Sequence, residues 1–111
     1  MHWERGRQGT GYWKLRLGQG SWWDCYLLDY PAGTAIPTHT DPVPGKRHWR
    51  LNVVVAGEQA FEGDSVFRCG RVVLFRPDVM AHAVRVVERR RLVLSVGWVT
   101  GDGARTSPAS S

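Results

Sequence analysis

Tyr30-Pro31-Ala32-Gly33-Thr34-Ala35-Ile36-Pro37-Thr38-His39-Thr40-Asp41 ends on an imidazole and a carboxylate two positions apart. In an extended strand, positions i and i+2 face the same side. One nitrogen and one oxygen donor are therefore expected to converge on one point. A second histidine from a distant part of the chain would complete a set of two histidines and one carboxylate. That set leaves three adjacent positions open on a six-coordinate ion and suits non-haem Fe(II).

Outward from this stretch the pattern is one of short strands. Trp13, Leu15 and Leu17 alternate with Lys14 and Arg16, which predicts a half-buried strand over 12–17 with the apolar residues on one face. Residues 22–30 are apolar on both faces and read as an interior strand. Pro42-Val43-Pro44-Gly45-Lys46 is a loop, since two prolines and a glycine interrupt regular structure. Further strands are expected over 49–55, 59–61, 65–68, 71–75, 81–87 and 91–99. No stretch has sustained helical periodicity. Eight strands of about six residues need about fifty residues, so the expected fold is all-β, a double-stranded β-helix (jelly roll, cupin-like) in one domain over 1–111. The core is expected over about 12–100, with residues 1–10 and 101–111 as frayed ends.

The chain has 111 residues, 42% hydrophobic and 23% charged, which suits one globular domain. It holds no apolar run long enough to span a bilayer and no apolar signal at its start, so no membrane partner and a cytoplasmic location are expected. Fifteen Lys and Arg against ten Asp and Glu give a net charge of +5. The basic residues are scattered, so a nucleic-acid partner is possible in principle but disfavoured against a small anionic one. Cys25 and Cys69 make no disulfide framework and read as free thiols. Trp22, Trp23 and Trp98 are expected in the core, and Trp49 is a candidate for a substrate surface.

The candidate third ligand is His82, 43 positions after His39. In a jelly roll, remote strands become neighbours, so this spacing is compatible with a shared site. Three protein ligands leave room for a 2-oxo acid to chelate the metal, and its far carboxylate would need a fixed cation. Arginine fits best, because its planar fork matches a carboxylate. Arg91 opens the last strand, and a short hairpin could set it beside His82. Val93, Ser95 and Gly97 share its face, and Ser95 could add a hydroxyl. Arg90 is the alternative anchor. Strand alternation sends Arg90 and Arg91 to opposite faces, so at most one of them reaches the pocket. Arg50 and Asn52 share a strand face expected to point inward. Taken alone, His39 and Asp41 could form a polar turn before Pro42, and His82 could be a buried histidine bonded to a carbonyl.

With these residues in order, the sequence resembles the Fe(II)- and 2-oxoglutarate-dependent oxygenases. Their pattern is His-X-Asp, a distal His and a following Arg or Lys, matched here by His39-Thr40-Asp41, His82 and Arg91. Tyr30-Pro31-Ala32-Gly33, Gly70-Arg71-Val72-Val73-Leu74-Phe75 and the closing strand 91–98 resemble the prolyl-hydroxylase-like members. Ile36 departs from them, standing where many carry a tyrosine that contacts 2-oxoglutarate. Arg47-His48-Trp49-Arg50-Leu51-Asn52 resembles the aspartyl/asparaginyl β-hydroxylase branch, with Arg50 or His48 in the place of a co-substrate contact. The resemblance implies a minimal dioxygenase. His39, Asp41 and His82 would hold Fe(II), and Arg91 would anchor 2-oxoglutarate, with Ser95, Arg50 and Asn52 beside it. O2 would be consumed, with succinate and CO2 released and an unidentified small-molecule or peptide substrate hydroxylated. The rivals are a cupin-type metal-dependent dioxygenase or isomerase that does not use 2-oxoglutarate, and a non-catalytic jelly-roll binding module. With little chain outside the barrel, the mouth is expected to be open or covered by a second subunit, as in a homodimer.

Overall fold

A computed structural model of the chain describes residues 3–6 and 11–101. Ten strands follow in order: β1 (Trp3–Arg5), β2 (Trp13–Gln19), β3 (Trp23–Tyr30), β4 (Ile36–His39), β5 (Arg47–Ala56), β6 (Phe61–Gly63), β7 (Phe67–Cys69), β8 (Val72–Phe75), β9 (His82–Val84) and β10 (Arg91–Thr100). They form a seven-stranded sheet, β1-β2-β3-β10-β5-β8-β7, and a three-stranded sheet, β4-β9-β6. Every pairing is antiparallel. The expected all-β jelly roll of cupin type is the fold. Among the described residues no helix is long and apolar enough to cross a membrane.

Strand β10 is the spine of the larger sheet. Its β-branched and aliphatic residues suit a pleated strand between two neighbours. Arg91, Val93, Ser95 and Gly97 are buried on one face, while Leu92, Leu94, Val96 and Trp98 are only partly covered on the other. Strands β3 and β5 flank it over nearly their whole lengths.

The core lies between the two sheets. Tyr30, Ile36, Val54, Ala60, Val84, Val87 and Val93 form one apolar cluster, with Tyr12 and Leu28 packed on it. Phe61, Val73 and Phe75 form a second, against Met80. The small sheet therefore closes one side of the barrel chiefly through Ile36, Phe61 and Val84.

Several expectations change. Trp3–Arg5, expected in a frayed end, is a strand paired with β2. The other end residues, 1–2, 7–10 and 102–111, lie outside the described residues. The strand expected over 81–87 stops at Val84. β9 belongs to the small sheet and β10 to the large one, so His82 and Arg91 are not neighbours on a hairpin. They face each other across the barrel interior. In β2 the apolar face points outward: Lys14, paired with Leu28, lines the interior, and Leu17 is exposed. Trp22 and Trp23 are 59% and 37% exposed, so neither is a core residue. Cys25 and Cys69 are free thiols, as expected.

Candidate metal centre

His39 ends β4 and His82 opens β9, and the two are cross-strand partners. β4 is an edge strand, where Pro37 is tolerated because no partner needs its missing N–H. The register shifts between Ile36 and His39. On the other side of β9, Gly63 pairs with His82 at φ +130°, and a Cβ there would overlap the Ala81 carbonyl. A glycine at this position lets β6 press close behind the histidine.

Asp41 does not reach the site by strand alternation, because β4 ends at His39. Its backbone N–H donates to the Pro77 carbonyl at 2.6 Å, which ties the loop after β4 to the loop before β9. From there Asp41 Oδ2 sits 3.3 Å from His39 Nε2 and 3.6 Å from His82 Nε2.

Both imidazoles are oriented from behind. His39 Nδ1 lies 2.7 Å from the Pro37 carbonyl oxygen, and His82 Nδ1 lies 2.9 Å from that of Met80. A carbonyl only accepts, so in each neutral ring Nδ1 carries the hydrogen and Nε2 carries the lone pair. Metal-ligating histidines are commonly held this way, the other ring N–H donating to a carbonyl that fixes the tautomer and the ring's aim. The three donor atoms lie within 4.8 Å of one another. Ligands about 2.1 Å from an ion stand about 3.0 Å apart in octahedral geometry and about 3.4 Å apart in tetrahedral geometry, so the two nitrogen–oxygen separations fit a shared metal. Phe75 packs on His82 with ring centroids 5.0 Å apart, and Phe61 packs on Phe75 at 4.9 Å. They form an apolar wall on the inner side. The Asp41 side chain is 46% exposed, which puts the donor set at the mouth of the barrel.

Behind the donors lies a cavity of about 260 Å3. His39, Asp41, His82, Arg91, Ser95, Arg50 and Asn52 all line it, so the fold brings together every residue singled out for the site. Arg91 is 1% exposed. Its guanidinium lies over the Tyr30 ring, 4.8 Å from the centroid, and donates to the Glu58 carbonyl at 3.0 Å and to Gln59 Oε1 at 3.4 Å. Burial lowers its pKa, with Tyr30 opposing the shift, yet an arginine stays charged. Burial pushes the Tyr30 phenol well up, with Arg91 pulling back. Arg90 is exposed and pairs bidentately with Asp29 on the outside. Of the two arginines, only Arg91 faces the interior.

Ser95 and Asn52 are already engaged with Arg50. Arg50 Nη1 donates to Ser95 Oγ at 2.6 Å, and Ser95 Oγ donates to Asn52 Oδ1 at 2.6 Å. Arg50 Nη2 meets Asp24 Oδ1 at 2.5 Å. This network needs Gly97, because a Cβ there would overlap the Arg50 guanidinium. His48 is a rim residue of the cavity, with its Nδ1 buried and lacking a hydrogen-bond partner. Burial and then Arg50 lower its pKa. Trp49 is not part of the cavity; its indole donates to Thr100 Oγ1 at 3.0 Å.

Tyr12, Lys14, Asp24 and Tyr26 also line the cavity or bond to its wall, and sequence reasoning passed over them. Asp24 left a signal, as one of two carboxylates, with Asp29, in a strand whose other residues are apolar or aromatic. Lys14 left none, because alternation assigned it to solvent. Ile36 is buried in the core and lines the cavity together with Tyr12, Tyr26 and Tyr30.

No family model matches the chain, and no curated protein sequence matches it. Solved structures do. It is similar to KdgF from Halomonas sp., with a TM-score of 0.64 and 16% identity over 88% of this chain and 86% of that one. The cupin domain of Cnp3 from Schizosaccharomyces pombe gives 0.64 and 11%, over 90% of this chain and 69% of that one. The DMSP lyase DddQ from Ruegeria pomeroyi gives 0.63 and 22%, over 96% of this chain and 58% of that one. At such identities the likeness carries the fold alone, and that fold is the cupin-type jelly roll.

Proposed function

We propose that this chain is a metal-dependent enzyme that acts on a small carboxylate-bearing substrate held inside the barrel. The observation that carries the reading is the pairing of two features in one cavity. Two imidazoles and a carboxylate converge at its mouth, and a buried arginine, Arg91, stands in its wall with uncharged hydrogen-bond partners. A buried charge bonded only to neutral groups is costly; the Glu58 carboxylate offsets that cost only from a distance, and an anionic ligand would offset it further. Lys14 and Arg50 add two further cations to the same wall, Arg50 being paired with Asp24.

His39, Asp41 and His82 would hold the metal, and a divalent ion there would polarise a bound oxygen atom or bind dioxygen. The protein's own contribution is positioning. Arg91 would take a carboxylate on its remaining N–H groups, and the Phe61–Phe75 wall would exclude water from one side of the metal.

The finer form of this reading is an Fe(II)- and 2-oxoglutarate-dependent hydroxylase with Arg91 as the co-substrate anchor. It is supported by the two-histidine, one-carboxylate donor set, by the inward aim of Arg91 and by the resemblance of the motifs. Ser95 and Asn52 support it less, since both are bonded into the Arg50 network. The second reading is a cupin-type enzyme that binds its substrate directly without 2-oxoglutarate. The Arg50–Asp24 pair inside the wall favours it, because that pair gives the cavity polar recognition groups away from Arg91.

Anaerobic titration with Fe(II) and then 2-oxoglutarate separates the two. The hydroxylase reading expects a visible charge-transfer band, succinate on admitting O2, and loss of both in Arg91→Ala. Fe(II) binding without band or succinate would leave the second reading. Folded protein that binds no divalent ion would overturn both and favour a binding module.

A further inference from the structure

A second hollow, of about 170 Å3, adjoins the barrel cavity at its rim. His48 and Tyr26 line both, so the two share a wall. The Arg50–Asp24 pair spans that wall, with Arg50 on the cavity side and Asp24 on the side of the hollow. The far side is the β2–β3 turn, with Gln19, Ser21 and Trp22. That turn is held firmly. The Gly20 N–H donates to the Trp23 carbonyl at 2.8 Å, and a Cβ on Gly20 would overlap the Trp23 indole. The Val99 N–H donates to the Trp22 carbonyl at 2.9 Å, which ties the turn to β10. Trp22 is nevertheless 59% exposed. An indole fixed at its backbone and left uncovered at its ring is a ready contact surface with little ordering left to lose. Polar groups around it have bonding capacity to spare. Asp24 gives Oδ1 to Arg50, while its Oδ2 receives no hydrogen bond among the described residues. His48 Nδ1 is buried without a partner, which is costly unless a ligand supplies one.

The charge of Asp24 is balanced by Arg50, so the hollow does not select for a charged ligand. It offers one aromatic face with several hydrogen-bonding groups set around it. A phenol or an indole would cover the face and leave most of the polar groups unmet. A simple amide would meet two of them and leave the face bare. A sugar ring answers both, with an apolar C–H face and a rim of hydroxyls that donate and accept. We infer that the hollow is a subsite for one neutral sugar ring, carried on the part of the substrate that projects from the cavity mouth. Trp22 takes the C–H face, and Asp24 Oδ2 and His48 Nδ1 bond hydroxyls on the side nearer the metal donors. This rests on the reading of the barrel as a metal-dependent enzyme for a carboxylate-bearing substrate, and it narrows that substrate to an acid that bears a sugar.

Nitrogen–proton correlation spectra of the full chain, titrated to tens of millimolar with the methyl glycosides of glucose, galactose, mannose and xylose, test this. These probes carry no carboxylate, so Arg91 and Lys14 add nothing to their binding. At least one should shift the Trp22 indole signal and the Ser21 and Asp24 amide signals saturably. Affinity read on the Ser21 amide should fall by roughly tenfold in Trp22→Ala. If that variant does not fold, Gln19→Ala, changed at an exposed position of the same turn, should weaken the same shifts. No shift with any of the four glycosides overturns the inference. Shifts with phenol but not with the glycosides would give the hollow to an aromatic group and overturn it as well, and undiminished affinity in Trp22→Ala would place sugar binding elsewhere. Titration of the same samples with Mn(II) checks the metal-enzyme reading separately. Glycoside binding by protein that takes no Mn(II) would keep the subsite and remove the enzyme, and Mn(II) binding without glycoside shifts would do the reverse.

Discussion

His39 and His82 face each other directly across the β4–β9 pair, with ring centroids 4.3 Å apart. Each ring is turned by a carbonyl two residues before it, so the backbone geometry of two short strands sets both nitrogen donors. The cross-strand pairing, and not the local sequence, makes a bidentate imidazole site.

Removing any one donor should cost metal affinity severely. Changes to groups that merely orient a ligand cost about 10- to 100-fold, so Asp41→Ala and His82→Ala should each lose at least about 100-fold for Mn(II) or Fe(II). Isothermal titration calorimetry measures this. Undiminished affinity in Asp41→Ala would remove Asp41 from the ligand set.

Metal should also stabilise the fold. A ligand bound only by the native state adds about 2.7 kcal/mol at a concentration 100 times its Kd, worth roughly 10 °C in a domain of this size. Thermal melts with and without Mn(II) should show that rise in wild type and its absence in His39→Ala.

Arg91→Met should separate stability from binding. Arg91 donates to two uncharged groups, so relief of a buried charge offsets the loss of those hydrogen bonds, each worth about 1.5–3 kcal/mol. The urea midpoint of this variant should stay level, while affinity for small dicarboxylates falls by 10-fold or more. A large loss of stability with binding intact would make Arg91 a structural residue.

Gly97→Ala tests the inner polar network. The added Cβ takes the space of the Arg50 guanidinium, so Arg50 must give up Asp24 or Ser95. A loss of about 1–2 kcal/mol is expected from these charge-assisted bonds. Urea unfolding should show it, and pairing the change with Arg50→Ala should bring little further loss.

Asp78 should make the fold sensitive to acid. Burial opposes its charge, but the bidentate Arg76 contact and the His48 backbone N–H outweigh burial and lower its pKa. A carboxylate with a depressed native pKa contributes stability above its unfolded value of about 3.9 and loses it as pH falls through the native value. Wild type should therefore exceed Asp78→Asn by about 1–3 kcal/mol at pH 7. The gap should close below about pH 4, as followed by denaturant unfolding across that range. A gap that does not change with pH would remove the charge from the explanation.

Much of the fold and the centre of the site were legible in residue order. The period-two runs over 91–99 and 49–55, the proline-bounded loops and the lack of helical period determined an all-β barrel, because strand geometry leaves that local trace. His39, Asp41, His82 and Arg91 stood out because donor and anchor chemistry needs those side chains. Alternation settled which of Arg90 and Arg91 turns inward once the strand was placed. Tertiary structure alone decided the rest. Alternation marks two faces but not which one meets the core, and in β2 the charged face, with Lys14, lines the cavity while the apolar face looks out. Asp41 reaches the histidines through the Pro77 carbonyl, a contact between two loops that no local pattern encodes. His82 and Arg91, nine positions apart, come together from opposite sheets and not from one hairpin, because sheet membership depends on pairing energies summed over the whole chain.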